Sequence, residues 1–159
     1  MTKCTKPSAR TGSTDTRSQP RQLADGKGFH DELQEDFIRT SEGRVTRERP
    51  IRSTSGKTGR IDIHVAVDEE LDSVVEFKRS DWDRMAPHRV GPNIRRYVRQ
   101  VWRYIEAVME EGKDVSPGIV FAHMPKDAGL KRRIEEAFEE ECITIVWADE
   151  EGRTGDDAC

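Results

Sequence analysis

Residues 59–83 read GRIDIHVAVDEELDSVVEFKRSDWD, and the alternation within them decides the fold. In an extended strand successive side chains point to opposite faces. Ile61, Ile63, Val65 and Val67 are therefore expected to face a core, while Asp62 and His64 face the other way. In the next run, Val74 to Lys78, the same alternation sends Glu76 and Lys78 to one face and Val75 and Phe77 to the other. With Asp68, Glu69 and Glu70 as the turn, antiparallel pairing in register sets Asp62 opposite Glu76 and Lys78 one pleat along. Two carboxylates and an amine then share one small patch.

Two converging carboxylates suit a hard divalent cation with oxygen ligands and retained waters, which is the preference of Mg²⁺ or Mn²⁺. A lysine beside such an ion can hold or deprotonate a water while the ion stabilises charge growing on a phosphoryl oxygen. The plain alternative is a β-hairpin with a solvated charged face, since short motifs recur by chance.

The order Gly59-Arg60-Ile61-Asp62, then Val74-Val75-Glu76-Phe77-Lys78, resembles the core of the PD-(D/E)XK nuclease superfamily, with Ile61 where the motif has its proline. The resemblance implies that Asp62 and Glu76 bind metal, that the Phe77 carbonyl assists, and that Lys78 is the catalytic lysine.

Upstream, Phe29, Leu33 and Phe37 fall at i, i+4 and i+8, an amphipathic helix expected to begin near Gly28 and to stop near Gly43. His30 and Gln34 flank the apolar stripe on one side, Glu32 and Asp36 on the other. In the superfamily this helix often adds an acidic residue to the site. His30 to Gln34 resembles the E-x-x-L-Q pattern of the archaeal and actinobacterial mismatch-endonuclease nuclease domain, with His30 in the place of the Glu. The third ligand thus stays open between His30 and Glu32, with an ordinary surface histidine as the plain alternative. Gln34 and His64 complete the set of additional candidates.

Arg44 to Ser53 alternates loosely, and Pro50 marks it as an edge strand. Gly56-Lys57-Thr58 is no phosphate-binding loop, because Ile51 occupies the position of the first glycine and no helical pattern follows. Trp82 either stacks on a base or covers the edge of the core. After a loop containing Pro87, His88, Gly91 and Pro92, a helix is expected from Asn93 to about Glu111, with Ile94, Val98, Val101, Ile105 and Val108 buried. Arg96, Arg99 and Arg103 line its other side. Gln100 and Tyr104, at i and i+4, are neighbours on the flank between the two stripes. This Q-x-x-R-Y string resembles the Q-x-x-x-Y motif of the RecB-like branch, which implies that these residues position nucleic acid.

A strand over 117–124, a helix over 128–140 and a last strand over 143–148 imply a parallel crossover. The whole order, αβββαβαβ, is that of a restriction-endonuclease-like fold, an α/β fold with a mixed sheet flanked by helices. The resemblance covers residues 28–148.

At 159 residues the chain fits one domain with a real core. Residues 1–25, rich in Lys, Arg, Ser, Thr and Pro, read as a disordered basic arm, residues 26–149 as the nuclease-like domain, and 150–159 as a short polar tail. Charged residues make up 36% and the net charge is −4, so binding to nucleic acid needs a local basic patch. Cys4, Cys142 and Cys159 form no CxxC pair, which argues against zinc and disulfides and fits the cytoplasm. No stretch is apolar enough for a membrane span. The expectation is a Mg²⁺- or Mn²⁺-dependent nuclease acting on DNA, with RNA as a further substrate class; the alternative is a nucleic-acid-binding module of the same fold without turnover. With no target-recognition domain in the sequence, specificity would come from a homodimer, a partner or the shape of the substrate.

Overall fold

The computed structural model describes residues 21–151, with side chains from 31 to 150. The first 20 residues of the expected arm, residues 152–159 of the tail, and the His30 side chain lie outside the described residues. Nine elements follow in order: α1 (Arg21–Thr40), β1 (Arg44–Arg52), β2 (Thr58–Ala66), β3 (Leu71–Lys78), α2 (Pro87–Met109), β4 (Asp114–Phe121), α3 (Ala128–Glu139), β5 (Thr144–Trp147) and the single turn α4 (Ala148–Glu151). The five strands form one mixed sheet in the order β1-β2-β3-β4-β5. β1, β2 and β3 pair antiparallel, whereas β3, β4 and β5 run parallel through the α2 and α3 crossovers. Among the described residues no helix is long and apolar enough to cross a membrane.

The β2–β3 turn forms where the acidic run stands. Asp68 folds back so that its Oδ1 accepts from the backbone N–H groups of Glu70 and Leu71, at 2.8 and 2.7 Å. This is an Asx-type closure, which suits aspartate to the first turn position. Ile63 then pairs with Val75 and Ala66 with Asp72, a register that, continued one step, sets Asp62 opposite Glu76.

Two core layers sandwich the sheet. On one face α1 lays Leu33, Phe37 and Ile38 against Ile63, Val65, Val75, Phe77 and Val120. On the other, α2 and α3 close over Phe121, whose ring meets Trp82 at 5.3 Å, Tyr97 at 6.0 Å, Phe138 at 5.8 Å and Trp147 at 5.2 Å. Trp82 is 2% exposed, so it belongs to the core and not to a stacking surface.

Three expectations need correction. Ile61, Ile63, Val65 and Val67 do not share a face: Ile61 joins the α2 layer, Ile63 and Val65 the α1 layer, and Val67 is 43% exposed. The cause lies across the ladder. Arg47 pairs with Ile63 and Arg49 with Ile61, and Glu48 between them has φ 51°, a left-handed conformation that turns β1 about its axis. The paired strands change face together there, and Asp62 sits at the change. Second, α2 begins at Pro87, inside the expected loop. Pro87 stands at the helix start, where its fixed φ suits the helix and its missing N–H costs nothing. Pro92 lies one turn further in, so it removes a single intrahelical bond, and burial of Val90 and Ile94 carries the helix through it. Third, α1 begins at Arg21, seven residues before Gly28. Arg, Gln, Leu and Ala at 21–24 are good helix formers and outweigh the glycines at 26 and 28.

Candidate functional site

The β2–β3 ladder ends at Ile63 and Val75, and one step beyond it Asp62 Oδ2 accepts the backbone N–H of Phe77 at 2.9 Å. A side chain takes the place of a ladder bond, which fixes Asp62 beside Glu76. Glu76 faces α2 and is 3% exposed. Its Oε1 accepts from Lys78 Nζ at 2.5 Å and from Gln100 Nε2 at 2.6 Å. Gln100 Nε2 also donates to the Tyr104 hydroxyl at 2.7 Å, the contact expected of helix positions i and i+4. Glu76 Oε2 is buried with no hydrogen-bond partner.

Burial pushes the Glu76 carboxyl up to about 7; Lys78 opposes that rise and the neighbouring Asp62 charge adds to it. Tyr104 is held well above the ordinary phenol range, first by burial and then by the Glu76 charge. The pocket therefore disfavours further negative charge and favours a cation.

The raised carboxyl has a consequence for stability. An acid whose folded pKa lies above its unfolded value favours folding at low pH, and that contribution fades as pH rises from 4.5 through about 7. The contribution of Glu76 to the stability of the metal-free protein should thus fall by on the order of 3 kcal/mol over this window, one pKa unit being about 1.4 kcal/mol. Glu76→Gln removes the buried charge, so at pH 8 it is expected to melt several degrees above wild type, with the gain gone near pH 4.5. Metal-free thermal melts across pH decide this; equal melting at pH 8 would show that the buried charge costs nothing.

Lys78 rides over the Tyr97 ring, with Nζ 5.3 Å from its centroid, and Arg96 lies over the same ring at 5.1 Å. The Tyr97 hydroxyl bonds Ser80 Oγ at 2.7 Å and accepts from Arg96 at 3.3 Å. Sequence reasoning did not single out Tyr97 or Ser80. The signal available was spacing, since Tyr97 lies three and seven residues before Gln100 and Tyr104 on the same helix. Arg103 is half-buried and Arg99 exposed, its Nε donating to the Arg95 carbonyl at 3.3 Å.

The structure brings together Asp62, Glu76, Phe77, Lys78, Gln100 and Tyr104, with Arg96 at the edge. It does not bring Gln34, Glu32 or His64 to the carboxylates. Gln34 is buried against Arg47, which donates to its Oε1 from Nε and Nη2 at 3.1 and 2.9 Å, in the α1 layer. Glu32 is exposed. His64 turns to Asp72, 2.7 Å from its Nε2, and to Arg49, itself in an ion pair with Glu111. Among the described residues no group of three or more His, Cys, Asp or Glu side chains forms a metal cage. Two carboxylates with a backbone carbonyl and waters suit Mg²⁺, which keeps several waters and needs one or two carboxylates.

No protein-family model matches this chain, and no curated protein matches it.

Proposed function

We propose that this chain is a metal-dependent nuclease of the PD-(D/E)XK kind, with a restriction-endonuclease-like fold, hydrolysing phosphodiester bonds in DNA. Glu76 carries the reading: it is buried, its Oε2 lacks a partner, and it stands between Asp62 and Lys78. A carboxylate kept in so dry a place is costly unless both oxygens are met, and Lys78 and Gln100 meet Oε1 alone. Asp62 and Glu76 would hold Mg²⁺ or Mn²⁺ with help from the Phe77 carbonyl. The ion would supply Lewis-acid stabilisation at the phosphoryl oxygens.

The chain's own groups do the rest. Gln100 and Lys78 fix Glu76 Oε1, and Oε2 would be the oxygen left to hold the ion. Lys78, steadied by the Tyr97 ring, has its amine beside the carboxylates, where it can orient an attacking water and move its proton. Arg96 and Arg103 flank Gln100 in the helix and would supply cations to the substrate phosphates.

The test is incubation of the full chain with Mg²⁺ or Mn²⁺ on plasmid, linear duplex, single-stranded and branched DNA, and on RNA. Cleavage of at least one DNA form, dependent on the ion and stopped by chelation, is expected. Cleavage of RNA alone would move the substrate class. Binding to DNA without any cleavage would leave the module without turnover, the reading that His30 in place of a carboxylate favours.

A further inference from the structure

Gly91 lies in α2, where a glycine is a poor helix residue, and it leaves open a position that two cations share. A Cβ at Gly91 would lie 3.4 Å from Arg95 Nη1 and 3.5 Å from Arg133 Nη2. The guanidinium nitrogens, one from α2 and one from α3, are therefore on the order of 7 Å apart or less, close enough for like charges to repel measurably. Nothing anionic separates them: among the described residues neither side chain has an ion-pair partner within 4 Å. In a chain of net charge −4, with more Asp and Glu than Lys and Arg, two convergent cations without a carboxylate between them run against composition.

A phosphate group fits this gap. Two of its oxygens can each accept a charge-assisted hydrogen bond of about 2.8 Å from nitrogens so spaced, and guanidinium groups suit phosphate better than ammonium groups do. The surroundings extend the fit. Arg99 stands one turn along α2 from Arg95 and three residues from Arg96, so it bridges the pair to the arginines beside Gln100. From Gly91 to Gln100 the helix advances about 14 Å along its axis and turns through about half a revolution, so the pair lies on the flank of α2 opposite Gln100.

From this geometry we infer that Arg95 and Arg133 form a second phosphate subsite, which holds the substrate backbone on the α2–α3 surface, across α2 from the carboxylates. The identity of the anion as a nucleic-acid phosphate rests on the nuclease reading above. The subsite adds affinity and footprint and takes no part in bond breaking.

The test separates the two readings because it measures binding without metal. Duplex DNA is titrated with the full-length protein across salt concentrations, for wild type, Arg95→Ala, Arg133→Ala, the double variant, and Arg44→Ala as an equal charge change at the far end of the sheet. Each single variant is expected to weaken binding about five- to tenfold at low salt. The double variant should lower the log–log salt slope by about 0.9 in all, the value for one shared phosphate on duplex DNA. Non-additivity of the two substitutions is the signature of that sharing. A slope and affinity equal to those of Arg44→Ala would overturn the subsite, as would a fall of about 1.8 in the double variant, which means two independent contacts. Wild type that binds no DNA would overturn it too. If wild type binds with the expected arginine dependence but cuts nothing with Mg²⁺ or Mn²⁺, the nuclease reading falls and the subsite stands.

Discussion

In the Asp62→Ala variant, cleavage and site-bound metal are expected to disappear together. Asp62 is one of two carboxylates at the site, and with Asp62 gone Glu76 alone would be left to hold the proposed cation. Losing the proposed ion would remove several kcal/mol of transition-state stabilisation, so the rate should fall by about 10³ or more. A second effect must be kept apart from the first. Asp62 Oδ2 accepts the Phe77 N–H at the end of the β2–β3 ladder, and alanine removes that bond, at a cost of about 0.5–1.5 kcal/mol. Asp62→Asn resolves the two, because its amide oxygen keeps the bond to Phe77 while the charge is lost. The Asp62→Asn variant should therefore melt near wild type and yet bind Mn²⁺ weakly by calorimetry and cleave as poorly as the alanine variant. Wild-type cleavage by Asp62→Asn would remove Asp62 from the metal site.

The parts of this arrangement that depend on local geometry were legible in the sequence. Alternation and an acidic turn set Asp62 opposite Glu76, and i, i+4 spacing put Gln100 beside Tyr104. Parallel crossovers followed from strands separated by helices of adequate length. What was not legible depends on tertiary context. Glu48 at φ 51° carries no sequence mark, because a glycine or asparagine would be expected there, and the change of face at Ile61 could not be anticipated. Pro87 to Pro92 read as a loop because proline and glycine ordinarily interrupt helices, but burial of Val90 and Ile94 overrides propensity. His64 shares the face of Asp62, yet it is claimed by Asp72 across the turn end of the hairpin, a partner that alternation alone does not identify. Gln34 likewise reads as a site residue until Arg47 on β1 is seen to hold its oxygen.

Lys78→Ala should fail differently from the Asp62 variants. The amine stands 2.5 Å from Glu76 Oε1 and on the Tyr97 ring, adjacent to the carboxylates without being an oxygen ligand itself. Its loss removes a group that positions or deprotonates water, a contribution of about 10²–10⁴ in rate. Metal affinity should change little, because two opposed effects act on Glu76. Lys78 helps keep that carboxyl ionised, so without it the carboxyl holds its proton more tightly and the proton competes with metal at neutral pH. Against this, the site loses a positive charge that repels the incoming ion. Raising the pH to 8.5 weakens the first effect, since it ionises Glu76 more fully in both proteins. At that pH Lys78→Ala is expected to bind Mn²⁺ and duplex DNA within a few fold of wild type and to cleave at least about 10²-fold more slowly. Single-turnover cleavage and calorimetry on the same samples read both quantities. A variant that cleaves as fast as wild type would show that the water is activated without Lys78, and the proposed mechanism would be wrong even with the fold correct. A variant that loses metal at pH 8.5 as completely as Asp62→Ala would instead make Lys78 a part of the site's frame, holding Glu76 in place before any chemistry begins.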